Sequence, residues 1–154
     1  PTALRNGPNW LFVRFETEAE VASLKPDMSA LAALSPKVTG VAAFAFTSPA
    51  HPEEPGVTQS APKGVSKDEF AVHIRCFAPA AGVPEDPVTG SANAALPTYL
   101  VHHGLLEKTG REYVATQATE MGRDGRVPVR VLDDSGRAEI GGKAVTVIEG
   151  EIRM

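Results

Sequence analysis

The chain has 154 residues, a formal net charge of −4 and a single cysteine, Cys76. That balance, with no basic run, excludes a phosphate-backbone binder, so nucleic acid is not an expected partner, and a lone thiol excludes an internal disulfide and a thiolate zinc cluster. With 42% apolar and 22% charged residues the composition is that of one folded domain, residues 1–154, in a reducing, cytoplasmic setting.

The longest apolar stretch, Val41 to Phe46, is far too short to span a bilayer, so no membrane partner is expected. Pro1 in first place fits either a removed initiator Met or a cut from a longer protein.

Trp10-Leu11-Phe12-Val13-Arg14-Phe15, bounded by Asn6-Gly7-Pro8-Asn9, reads as a buried strand. Thr17 with Glu20 makes a capping box that opens a short helix, which Pro26 should stop. Asp27 caps a second short helix, Met28 to Leu34, ended by Ser35-Pro36, because a residue before proline avoids the α region. Thr39 to Phe46 returns as an apolar strand. Ser48 to Lys67, with Pro49, Pro52, Pro55 and Pro62 and no periodicity, is expected to be a long surface loop, either a lid or, in the favoured reading, a tolerated insertion.

Phe70, Val72, Ile74 and Cys76 alternate with Ala71, His73, Arg75 and Phe77, which predicts a strand with one face in the core. Beyond Gly90, Ala92, Ala95, Leu96, Tyr99 and Leu100 share one face of a helix that Gly104 should stop. Its scarcity of polar residues predicts a largely buried helix, slightly kinked at Pro97. The remainder reads as strands Glu112 to Gln117, Val127 to Leu132, Ala138 to Ile140 and Lys143 to Arg153, with turns at Asp133-Asp134-Ser135-Gly136 and Gly141-Gly142. Pro128 points to an edge or a bulge. The sum is α+β: a mostly antiparallel sheet and one long apolar helix that a curved sheet could wrap.

The chemistry concentrates between Ala78 and Ser91, a proline- and glycine-rich turn that feeds the apolar helix. The first amides of such a helix, with the positive end of its dipole, form a pocket for a carboxylate. Gly90 lets an anion approach the backbone, and the Thr89 and Ser91 hydroxyls supply further donors. Asp86 beside that pocket is suited to hold or pass a proton. On local chemistry alone the same residues are ordinary turn and N-cap formers, and that structural reading leads.

Other candidates are weaker. Cys76 shares the face of Ile74 and reads as core, and His73 reads as a satisfied structural histidine. His102 and His103 point about 100° apart on a helix and cannot share a metal; no metal site is expected. Gly122 with Arg123 is either a turn on a cleft rim or a plain surface loop.

A resemblance reverses the order of the two readings of the loop. Glu85-Asp86-Pro87-Val88-Thr89-Gly90-Ser91 is similar to the Glu-Asp-Pro-Ala-Thr-Gly-Ser signature of the phenazine-biosynthesis (PhzF-like) isomerases, with Val88 in place of alanine. His73-Ile-Arg-Cys-Phe-Ala-Pro79 resembles the family's Arg-x-Phe-x-Pro strand, Glu120 to Arg126 its Met-Gly-Arg stretch, and Glu139 to Val145 its late Gly-Gly strand. The resemblance implies the C-terminal half of a protein of diaminopimelate-epimerase fold, a rolled sheet around one central helix.

It further implies Asp86 as the active-site acid and Gly90 with Ser91 as the substrate-binding end of the helix, Thr89 standing where related racemases carry a cysteine. The family's acid/base glutamate, in a Gly-Asn-Pro motif of the first half, has no counterpart in this sequence. The implied chemistry is a cofactor-independent proton shift on a small carboxylic acid. The expected partner is a first half or, as a homodimer, a second copy of this chain. The alternative is a non-catalytic binding or oligomerisation module derived from the same domain.

Overall fold

A computed structural model describes residues 1–47 and 71–152. The expected surface loop Ser48 to Lys67 and the strand residue Phe70 lie outside the described residues.

The chain opens on a hairpin, β1 (Thr2–Arg5) and β2 (Asn9–Arg14), turned by the Asn-Gly-Pro stretch that had marked only a boundary. Two short helices follow, α1 (Glu18–Ala22) and α2 (Met28–Ala32). The Thr17 hydroxyl accepts from the Glu20 amide at 3.2 Å while the Glu20 carboxylate accepts from the Thr17 amide at 2.9 Å, and Asp27 caps α2, as the sequence predicts. The next strands are β3 (Gly40–Phe46), β4 (Ala71–Ala78) and β5 (Val83–Asp86). Helix α3 (Gly90–His102) and the single turn α4 (Leu106–Thr109) lead to β6 (Glu112–Gln117), β7 (Gly125–Val131) and β8 (Ala138–Ile140).

The strands form one sheet in the order β1-β2-β3-β4-β6-β7-β8, with β5 added on β4. Five of the seven pairings are antiparallel; β2 with β3 and β4 with β6 are parallel, and each parallel step is bridged by helices. The first bridge, α1 and α2, covers one face of β3 and β4. The second, α3, packs on β1 and β2 at one end of the curled sheet and on β7 and β8 at the other. The fold is α+β.

The core lies between α3 and this curled face. Leu96 and Leu100 are fully buried, and Tyr99 packs edge-on against Phe44 with ring centres 5.2 Å apart and at a tilt against Phe12 at 5.9 Å. Among the described residues no helix is long and apolar enough to cross a membrane.

Three expectations change. Strand β4 is not one-faced: His73, Arg75 and Phe77 are as buried as Val72, Ile74 and Cys76, because α1 and α2 close the second face. The predicted strand from Lys143 does not form in the described part of that segment; from Gly142 to Ile152 the chain pairs with no described strand and is exposed. Pro128 is not on an edge, since β7 lies between β6 and β8; it sits just past the end of β8, where its carbonyl accepts from the Gly141 amide at 2.9 Å.

Candidate active site

Strand β4 ends in a tight turn, Pro79–Ala81, and the chain reverses into β5, which sets Asp86 opposite Cys76. What fixes β5 is charge rather than apolar packing. Arg75 donates from Nε and Nη2 to the two oxygens of Glu85, both at 2.8 Å. Its Nη1 donates to the carbonyls of Val21, Ala22 and Leu24 at 3.0 to 3.1 Å, closing the C-terminal end of α1.

The hydrogen bonds to Glu85 hold the Arg75 guanidinium in its charged form, raising it above its ordinary value, against the opposing pull of burial. Beside it His73 bonds to Glu120 at 2.9 Å and to the Thr116 hydroxyl at 3.2 Å, which makes it the structural histidine the sequence predicts. The first acid of the signature, Glu85, is thus committed to the scaffold, whereas Asp86 turns to the start of α3.

There the polar groups interlock. The Thr89 hydroxyl donates to Asp86 Oδ2 at 2.8 Å and accepts from Gln117 Nε2 at 2.9 Å. Gln117 Nε2 also donates to the Asp86 carbonyl at 2.7 Å, and its Oε1 accepts from the Thr89 amide and from Asn93 Nδ2, each at 3.1 Å. Asn93 Nδ2 further donates to the Thr89 carbonyl at 2.9 Å. Thr89, Asn93 and Gln117 are all buried, and among the described residues Asn93 Oδ1 meets no donor.

Because the Thr89 hydroxyl serves Asp86, it does not cap α3, and no acidic side chain stands in the first turn. No described residue accepts from the amides of Gly90, Ser91 or Ala92. The Ser91 hydroxyl accepts from the Trp10 indole N–H at 3.0 Å, which leaves its own proton to point elsewhere. Gly90 is exposed, and a Cβ built on it meets only Ile140 Cδ1, at 3.6 Å. At Gly125, by contrast, a Cβ would sit 2.5 Å from the Gln117 carbonyl oxygen and 3.1 Å from that of Pro87, so β7 starts pressed against the loop.

Of the four candidate residues, Thr89 is bonded to Asp86, and Gly90 and Ser91 open α3 directly after it. Cys76 lies opposite Asp86 on β4, and burial pushes its thiol up to about 12, which suits a core residue and not a nucleophile. His103 is remote, bonded to Thr2 at 2.8 Å, and among the described residues no His, Cys, Asp and Glu group could hold a metal. Met121-Gly122-Arg123 is an exposed turn on the surface.

Sequence reasoning missed Gln117 and Asn93. A signal existed for Gln117, which continues the inward set Tyr113, Ala115 of β6 as its one amide. The surface concavity of about 350 Å³ beside Glu112, Arg130 and Glu139 does not include Asp86. The site is an open face, rimmed by the exposed side chains of Val88 and Ile140.

Residues 1–150 match the sequence pattern of the family described as phenazine biosynthesis-like protein, PhzC-PhzF. The chain belongs to this family. It is 31% identical over 150 residues to the uncharacterized isomerase YddE of Escherichia coli K12, covering 94% of this chain and 45% of that protein. It is 32% identical over 155 residues to the uncharacterized isomerase PA3578 of Pseudomonas aeruginosa, covering all of this chain and 48% of that protein. A crystal structure of a phenazine biosynthesis protein of the PhzF family from Enterococcus faecalis superposes with a TM-score of 0.55 at 25% identity, over 91% of this chain and 44% of that one. The chain spans about half the length of the relatives it matches.

Proposed function

We propose that the chain is the substrate-carboxylate-binding half of a cofactor-independent isomerase that moves a proton on a small carboxylic acid. The observation that carries this reading is the uncapped start of α3, with the Gly90, Ser91 and Ala92 amides unengaged next to Asp86. A helix start of that kind attracts a carboxylate. Gly90 keeps the approach clear, Ser91 adds a hydroxyl donor, and Thr89 contributes by holding Asp86. Family membership and the isomerase names of the relatives support the reaction class.

In the proposed reaction an acid or base takes a proton from a substrate C–H bond and leaves the electron pair on the carbon skeleton. The double bond shifts, and a proton returns at another carbon, so nothing is oxidised or reduced. Asp86 supplies one of the proton-handling groups and a second body supplies the other. That body is a family first half, or a second copy of this chain across a two-fold axis, arranged as in the diaminopimelate-epimerase fold. The exposed Val88 and Ile140 would lie in the contact.

Deuterium incorporation from heavy water into a cyclohexadiene or amino-acid-like carboxylate tests the reaction, with the chain supplemented by a family first half. Exchange should appear and be lost in Asp86→Asn; exchange that survives this substitution would place the chemistry elsewhere. Calorimetry with the same carboxylate tests the anion site. Gly90→Val should abolish binding with the fold intact, and unchanged affinity would remove the helix start from the site. Carboxylate binding with no exchange under any pairing would favour the non-catalytic module.

A further inference from the structure

The hydrogen bonds around Thr89 have only one consistent set of directions. Gln117 Oε1 faces two groups that can only donate, the Thr89 amide and Asn93 Nδ2, and its Nε2 faces the Asp86 carbonyl, which can only accept. Turning the amide over would set donors against donors and a carbonyl against a carbonyl, so its orientation is fixed. One Nε2 proton is spent on the Asp86 carbonyl and the other points at the Thr89 oxygen. The Thr89 hydroxyl is thereby an acceptor from Gln117, and its single proton is left for Asp86 Oδ2 at 2.8 Å.

Among the described residues a rival acceptor beside the Thr89 hydroxyl is the Cys76 sulfur. Burial keeps that thiol protonated, since its titration lies near 12, and a neutral sulfur competes poorly with a carboxylate oxygen. The charged groups of the neighbourhood do not compete either: Glu85 is taken up by Arg75, and Glu120 by His73. No described residue donates to Asp86 Oδ1. The backbone next to Gln117 is also constrained, because Ala118, fully buried, has a φ of 72° that non-glycine residues rarely adopt.

We propose that Gln117 and Thr89 form a polarity lock that holds Asp86 Oδ2 as a hydrogen-bond acceptor and leaves Oδ1 as the oxygen that exchanges a proton with substrate. Gln117 and Thr89 are positioning residues, acting through Asp86. The assignment of Oδ1 rests on the isomerase reading given above; the direction of the Thr89 hydrogen bond does not. A carboxyl group has two basic oxygens, and an enzyme that must deliver a proton to one carbon gains from silencing one of them. The lock does so with neutral groups and costs the helix its cap.

The test is nuclear magnetic resonance of the labelled chain without substrate. The Thr89 hydroxyl proton should be visible, exchanging at least about tenfold slower than an exposed hydroxyl, and coupled across the hydrogen bond to the Asp86 carboxyl carbon. Thr89→Ser should keep both signals. Thr89→Val, which keeps the side-chain shape, should move the Asp86 carboxyl resonance. A hydroxyl proton in fast exchange, or one coupled to another acceptor, would overturn the lock, and the wild-type spectrum alone decides this if Thr89→Val fails to fold. A coupled hydroxyl in a chain that no pairing renders active would retire the isomerase reading and leave the lock standing.

Discussion

Strand β4 and the segment from Lys143 to Ile152 carry the same kind of sequence, short and β-branched with alternating side chains, and meet opposite fates. Every described residue of β4 is buried, on both faces. In the other segment Val145, Val147, Ile148 and Ile152 are 83 to 92% exposed and no strand is paired. Pattern alone does not separate them. β4 has β3 on one side and β5 and β6 on the other, α1 and α2 above, and below it the core that Val72, Ile74 and Cys76 share with Ala92, Leu96 and Leu100 of α3. Alternation states what a strand would bury if it had neighbours; the neighbours decide whether it does, and how charged the second face can be.

The largest effect should come from taking away the charge that makes that second face possible. Arg75→Ala strands the half-buried Glu85 without its partner and takes a donor from the carbonyls of Val21, Ala22 and Leu24 at and just past the end of α1, and should destabilise by about 3 kcal/mol in chemical denaturation. Lysine should not restore it, since a single ammonium cannot bridge two carboxylate oxygens and reach the helix end. On the opposite face Ile74→Val should cost only about 1 kcal/mol. The paired change Arg75→Met with Glu85→Met should be milder than Arg75→Ala alone, because no charge is then stranded. If Arg75→Ala costs no more than Ile74→Val, the ion pair does not hold β5 and the comparison of faces fails.

A smaller effect follows from Cys76, on the core face of β4 opposite Asp86 of β5. Burial raises its thiol from an ordinary 9.0 to about 12. The native state thus keeps the proton in a range where the unfolded chain releases it. The stabilising contribution is complete below about pH 9 and is lost as pH rises toward 12, at roughly 1 kcal/mol per unit. Tyr113, also raised by burial, adds in the same direction at the alkaline end. Denaturation midpoints across pH 8 to 11 should fall less steeply in Cys76→Ala than in the wild type. An unchanged slope would mean that the thiol is open to solvent.

The fold was legible where one residue type decides a local event. Thr17 with Glu20, Asp27, and the apolar face from Ala92 to Leu100 each produced the predicted element. It was not legible where the deciding partner is distant. Nothing near β4 in the chain announces that α1 will supply carbonyls for Arg75, and β5 reads as loop in the sequence because its pairing is with β4 and its anchor is a side-chain ion pair. For the candidate site, Asp86, Thr89, Gly90 and Ser91 stand together in the sequence as one motif. Gln117 lies 28 residues past Thr89 and meets it only through the curl of the sheet.

The smallest effect should be that of removing the exposed segment. Ending the chain after Gly142 takes away Val145, Val147, Ile148 and Ile152, whose side chains are nearly as open to water in the fold as in the unfolded chain. Apolar burial stabilises in proportion to the area removed from water, and here that area is close to nothing. The loss in denaturation should be within about 0.5 kcal/mol, several-fold below Arg75→Ala. Self-association should respond more strongly, since four exposed branched side chains on an unpaired, strand-patterned stretch invite edge pairing with another chain. Sedimentation at rising concentration should find the shortened chain less associated than the full one. A loss of 2 kcal/mol or more with no change in association would mean that the segment packs on its own domain, and β4 and its counterpart would then differ in degree and not in kind.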